Sequence, residues 1–259
     1  MSNTTPFPDP NSGMALRPDR AGIPRESWDT VYHRVGKFWI PKKAPHHSLI
    51  AQTRGGKSYL IGNGILPHVA NENVVIIDVK GDDPTYAEIG KPVNKLPSRF
   101  SRTFNDWISE GKPREHWYRL VVKEDWNDAR AQVEQTLRQV YAEHNWTVVL
   151  DETRALTDAR PPGLNLSAYV EQMWLRGGSK GICVVAATQG PRWVPKSFYE
   201  QAQFHWIGAI EDEESQKRLR EIGGMERYHL PVIKSLPQYH WVYTDRHEDE
   251  RYRAITMVE

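Results

Sequence analysis

The chain has one cysteine in 259 residues, Cys183. No disulfide can form within it, which excludes a disulfide-built scaffold and suits a reducing compartment. Ile182 and Val184 to Ala187 flank that cysteine, a setting that predicts a core thiol rather than a nucleophile. No apolar run approaches the roughly 20 residues a membrane-crossing helix needs, and the first residues lack the apolar core of a signal peptide. The formal net charge is only +1, so no basic field covers the whole molecule and any nucleic-acid contact must be local. The histidines show no metal-ligand spacing. His46-His47 precede a predicted strand, where they flank a loop. No internal repeat is evident.

What is present has an ordinary balance for a protein with a real core, 39% hydrophobic and 26% charged residues. One local charge asymmetry stands out. Between Val31 and Gly56 there is no acid, while Arg34, Lys37, Lys42, Lys43 and Arg54 all fall inside. Residues 1–30 begin polar and Pro-rich and are expected to be a mobile tail, with one domain over 31–259. There, apolar runs alternate with helix-like segments, the pattern of an α/β fold with a mostly parallel sheet covered on both faces. Strands are predicted at Ser48–Ala51, Val74–Asp78, Tyr118–Lys123, Thr147–Asp151, Gly181–Thr188 and Phe204–Ile210. Helical spacing runs from Asp128 to His144 and from Glu211 to Ile222, and Asn165 is the expected cap of a helix ending at Gly177-Gly178. Two late runs, within about 238–258, predict a C-terminal β-hairpin. Residues 82–117 are polar and Pro-broken and predict no clear element.

The most informative stretch is Ala51-Gln52-Thr53-Arg54-Gly55-Gly56-Lys57-Ser58. It follows an apolar strand and precedes a helix that begins near Tyr59 and that Pro67 is expected to stop. Except for Ala51 in place of the first glycine, it is G-x-x-x-x-G-K-[ST], a phosphate-binding loop in its proper context. Backbone N–H groups from Gln52 to Tyr59 would surround a phosphate chain. Lys57 would meet the β/γ-phosphates, and the Ser58 hydroxyl would ligate Mg²⁺. The implied cofactors are ATP and Mg²⁺.

Thr147-Val-Val-Leu-Asp151-Glu152 delivers two acids to the carboxyl edge of a sheet, where ligands bind in open α/β folds. Asp151 would support the metal and Glu152 would activate water. The second acid points to hydrolysis rather than to a simple kinase. A further strand ends in Thr188-Gln189, whose amide can accept from water and donate to a phosphate oxygen.

Four blocks together resemble the FtsK–HerA superfamily of DNA-pumping, RecA-like P-loop ATPases: Thr53 to Ser58, Asp78-Val79-Lys80-Gly81, Asp151-Glu152, and Gly181-Ile182 through Ala187-Thr188-Gln189-Gly190-Pro191. The resemblance covers roughly residues 46–210. It implies ATP hydrolysis coupled to moving double-stranded DNA, by a hexameric or pentameric ring. Viral genome packaging at a portal or capsid vertex and conjugation both fit so compact a chain. The implied location is the cytoplasm of a bacterial or virus-infected cell, or a virion. The alternatives are a conjugation or chromosome-type DNA translocase, a non-motor ATP-gated assembly protein and a small-molecule kinase. The family carries an arginine before its fourth strand that acts across a subunit boundary. Gly178 stands at that position here, so the role falls to Arg176, the preferred catalytic candidate, or to Lys180, Arg154 or Arg192. Trp193, beside Arg192 in a Pro-bounded loop, is the aromatic residue to test against DNA.

Overall fold

Alternation inside the buried strands sets the layers of the molecule. In the computed structural model, which describes residues 22–38, 44–69, 71–81, 83–111, 113–223, 229–246 and 252–258, nine strands form one sheet. They are β1 (His46–Ile50), β2 (Asn73–Asp78), β3 (Lys91–Val93), β4 (Trp117–Val121), β5 (Trp146–Leu150), β6 (Cys183–Thr188), β7 (Ala202–Ile207), β8 (His240–Asp245) and β9 (Arg253–Met257). The order is β3-β4-β2-β5-β6-β1-β7-β8-β9. Strands β1 to β7 pair in parallel, and β8 and β9 add an antiparallel hairpin beside β7. Successive side chains of a strand point to opposite faces. Val75, Ile77, Val148, Leu150, Val184 and Ala186 accordingly join one core, while Val74, Ile76, Val149, Val185 and Ala187 join the other.

Helices cover both faces. On one lie α1 (Trp28–Phe38), α2 (Lys57–Tyr59, π-helical Leu60–Ile65, Leu66–Val69) and α3 (Pro84–Ile89). The short α4 (Phe104–Ser109) follows β3 in the chain. On the other face lie α5 (Trp126–Glu143) and, beyond the short α6 (Thr153–Thr157), α7 (Ser167–Arg176). The same face carries α8 (Ser197–Glu200), α9 (Glu213–Gly223) and α10 (Leu230–Lys234). The side chains of Asp83, Thr103 and Asp125 cap α3, α4 and α5 by accepting main-chain N–H bonds.

Four expectations change. Pro67 does not stop α2, which continues to Val69. A proline ring clashes with the carbonyl one α-turn before it, and here the preceding turn is π-helical, with Leu66 N–H bonded to Ile61 O, so the turn is wider. Asn165 does not cap α7. It sits at φ 52°, and Leu166 holds the cap position without a side-chain bond. The segment 82–117, which predicted no element, supplies α3, β3 and α4. Of the expected tail, residues 22–30 belong to the fold: Ile23 is buried, Arg25 bridges to Ile255 and Trp28 opens α1. Residues 1–21, with Lys42, Lys43 and Gly224, lie outside the described residues.

Candidate functional site

Sheet order brings the motifs together. β6 lies between β1 and β5, and all three run in parallel, so their carboxyl ends open on one edge. There the phosphate loop leaves β1, Asp151-Glu152 leaves β5, and Gln189 leaves β6 between them. The loop is shaped by positive φ at Arg54 (62°) and Gly56 (86°) and by Gly55 N–H donating to Gln52 O (3.1 Å). Gly56 serves a second purpose. A Cβ there would stand 2.4 Å from the Tyr239 ring, so only glycine lets the C-terminal hairpin lie on the loop. Ala51 is accommodated as well. It is outside the positive-φ residues, and its methyl fills the space that a side chain on Gly208 would need, 2.7 Å from that missing Cβ.

Lys57 is buried, and its ammonium donates to the carbonyls of Ala51 and Gln52, both at 2.9 Å. Burial pulls its pKa below the ordinary value, while Glu152 and Asp151 pull it back up. Asp151 Oδ1 accepts a bond from the Tyr86 hydroxyl (2.9 Å). The Ser58 side chain works against the rise in the Tyr86 pKa. Burial raises the Asp151 pKa, against the Tyr86 bond and the charge of Lys80. Glu152 behaves alike: burial raises its pKa most, while Lys57 and Lys80 lower it. Glu152 Oε1 takes a long contact from Thr188 Oγ1 (3.5 Å), and the Gln189 main chain helps to lower the pKa of the carboxylate. Its Oε2 is buried without a partner. Gln189 Oε1 accepts from Thr53 Oγ1 at 2.8 Å, tying the end of β6 to the loop.

These groups border a cavity of about 720 Å³ that includes Lys57, Ser58, Lys80, Asp151 and Gln189, a size suited to a small organic ligand. Its far wall is Tyr59 with Gln238, Tyr239, Met257 and Val258 from the hairpin. The two tyrosine rings lie 6.2 Å apart, and Gln238 Nε2 donates to Arg54 O (2.8 Å). A second cavity of about 980 Å³ adjoins Glu152 and Gln189 and holds Arg154, Arg160, Arg192 and Trp193. Arg154 and Arg192 each stack on Trp193, at 4.6 and 4.5 Å from its ring centre.

Gln52 to Tyr59, Asp151, Glu152 and Gln189 thus meet at one place. Arg176 is not with them. It is an exposed residue ending α7, and the turn after it, at Gly178, approaches Ala44 and His46 at the start of β1, the opposite edge of the sheet. Lys180 shares that edge but is engaged with His144 (2.7 Å) and the Tyr141 ring. His46 is a core residue; burial drops its pKa to about 4, and its Nδ1 accepts from Val184 N–H. Cys183 is buried, as its neighbours predict. No cluster of three metal-ligating His, Cys, Asp or Glu exists among the described residues, and no described helix is long and apolar enough to cross a membrane. Sequence reasoning missed Tyr86, Asp83, Thr85 and the hairpin residues of the cavity wall. The start of the predicted hairpin offered a position for Gln238 and Tyr239, but nothing in the spacing marked Tyr86.

No family model and no curated protein sequence matches the chain. Solved structures do. The genome packaging NTPase B204 of Sulfolobus turreted icosahedral virus 2, in complex with AMPPCP, is 16% identical, with a TM-score of 0.57 over 83% of this chain and 98% of that one. VirB4 of Thermoanaerobacter pseudethanolicus is 9% identical, TM-score 0.57, over 87% and 92%. The pCW3 conjugation coupling protein TcpA, with ATPγS, is 12% identical, TM-score 0.51, over 84% and 62%. The chain has the mostly parallel α/β fold of the P-loop ATPases, its phosphate loop, Asp151-Glu152 and Gln189 gathered at the carboxyl ends of three neighbouring strands.

Proposed function

We propose that the protein is an ATP-hydrolysing motor that translocates double-stranded DNA, with viral genome packaging as its task. The observation that carries hydrolysis is Glu152, a half-buried residue whose Oε2 is buried and unpartnered, beside the charge of Lys57. Such an oxygen is placed to accept a proton from water. In the proposed reaction, water bound at Glu152 and the Gln189 amide attacks the γ-phosphorus. Glu152 takes the water proton, the bond from the γ-phosphorus to the β–γ bridging oxygen breaks, and ADP leaves with that electron pair. Lys57 exchanges the Ala51 and Gln52 carbonyls for phosphate oxygens and stabilises the charge that develops there. Ser58 and Asp151 would hold Mg²⁺, which supplies further charge neutralisation at the phosphates. Their hydroxyl and carboxylate oxygens, the carboxylate held by the Tyr86 hydroxyl, suit a hard cation. The base would lie against Tyr59 and Tyr239.

Three observations support the DNA half of the reading. The chain spans nearly the whole of the packaging NTPase it resembles. The Arg154–Trp193–Arg192 stack borders the same Glu152 and Gln189 that would handle the γ-phosphate, so a strand bound there would be coupled to hydrolysis. Arg176 lies at the sheet edge away from its own site, where it could act only on a neighbour's, as in a hexameric or pentameric ring. Glu152→Gln tests the reading. It is expected to keep ATP binding and to lose about 10²–10⁴-fold in hydrolysis; normal turnover by that variant would overturn the assignment.

A further inference from the structure

The segment between β2 and β3, silent in the sequence, places a fully buried tyrosine hydroxyl between the loop and Asp151. Tyr86 sits on α3, whose start is fixed by two turns. Asp78 accepts main-chain N–H bonds from Gly81 (3.1 Å) and Asp83 (3.4 Å), and Asp83 in turn accepts from Thr85 N–H (3.0 Å). The helix packs against α2, which carries Ser58 near its start. The Tyr86 hydroxyl therefore arrives on the Ser58 side of the site, where it donates to Asp151 Oδ1 (2.9 Å).

A hydroxyl has one proton and two lone pairs. Tyr86 gives its proton to Asp151, so it can only accept from Ser58. Any bond with Ser58 then has one direction, from the Ser58 hydroxyl to Tyr86. A serine oxygen that binds a cation must turn its proton away, and the lone pairs of Tyr86 can accept that proton. Asp151 keeps its second oxygen uncommitted to Tyr86, and its orientation is set by a rigid ring with no exposure to solvent.

We propose that Tyr86 is a positioning residue for the Ser58–Asp151 pair, aligning both oxygens for a divalent cation bound with nucleotide. The proposal rests on the nucleotide reading above. Partners of this kind, one bond removed from the metal, typically govern about 10–100-fold in metal affinity.

The test uses the whole chain with a non-hydrolysable ATP analogue and Mn²⁺ as the cation, its binding followed by electron paramagnetic resonance. Tyr86→Phe keeps the ring and removes only the hydroxyl. It is expected to weaken Mn²⁺ binding by about 10–100-fold while the affinity for analogue in chelator stays at the wild-type value. With Asp151→Asn already in place, the further effect of Tyr86→Phe should shrink. Unchanged Mn²⁺ affinity would make Tyr86 a core filler and overturn the proposal. Equal losses of analogue binding with and without metal would overturn it too, as general disruption. A full-sized Tyr86→Phe effect in the Asp151→Asn background would contradict action through that carboxylate. Wild-type protein that binds no Mn²⁺ with the analogue would defeat the nucleotide reading itself, a result distinct from the others.

Discussion

At the scale of single residues, Glu152 shows how a site stores cost. Burial raises its pKa above the ordinary carboxylate value. A carboxylate whose folded pKa is raised contributes most stability below its unfolded pKa and loses it as pH rises through the folded pKa. Near neutral pH the ionised group therefore works against folding. Glu152→Gln should melt at a higher temperature than wild type there, with the gap closing as pH falls towards the unfolded carboxylate range. Thermal melts across pH check this; a destabilised variant at neutral pH would contradict the account. The same raised pKa places the acid limb of the ATPase profile above that of an ordinary glutamate. Ala51 offers a second residue-scale test. Gly208→Ala would press a methyl onto Ala51 and towards Trp241, at a cost of about 1–3 kcal/mol for overpacking. Ala51→Gly in the same chain should recover part of that loss in urea unfolding, since only the Ala51 contact is relieved.

At the scale of elements, legibility followed burial. Strands β2, β5 and β6 are buried along their whole length, so they read as apolar runs, and their acids and Gln189 could be placed at one edge from the sequence. The elements at 82–117 could not. α3 and α4 have six residues each and β3 has three, too few to show a period, and the side chains of β3 are largely exposed. Pro67 misled because its stop signal assumes an α-turn, whereas the turn before it is π-helical. Tyr86 was illegible for a different reason: its partner Asp151 lies far away in sequence and meets it only through packing. The hairpin was foreseen as an element but not as a wall of the cavity, because the contact of Tyr239 with Gly56 has no sequence signature. That contact carries a prediction. Tyr239→Ala should weaken ATP binding by about 0.5–1.5 kcal/mol, the worth of one aromatic stacking contact, with little effect on the melting temperature, since the ring is 44% exposed. Fluorescent-nucleotide titration checks it, and unchanged affinity would remove the hairpin from the base site.

At the scale of the whole molecule, the proposed motor would use two edges of one sheet. The carboxyl edge holds the phosphate loop, Glu152 and Gln189, while Arg176 sits at the opposite edge. On the proposed ring reading a single subunit would be incomplete, and that makes a specific demand. Arg176→Ala and Glu152→Gln subunits should each be nearly inactive alone yet regain hydrolysis when mixed, because some interfaces then pair an intact Glu152 site with a neighbour's intact Arg176. The central claim is that hydrolysis serves DNA movement, and steady-state ATP turnover with and without linear duplex DNA addresses it most directly. The account predicts turnover stimulated several-fold by duplex DNA at protein concentrations that support assembly, and the stimulation lost in Arg154→Ala/Trp193→Ala. Turnover indifferent to duplex DNA at every such concentration would contradict the motor and leave an ATPase that works on something else.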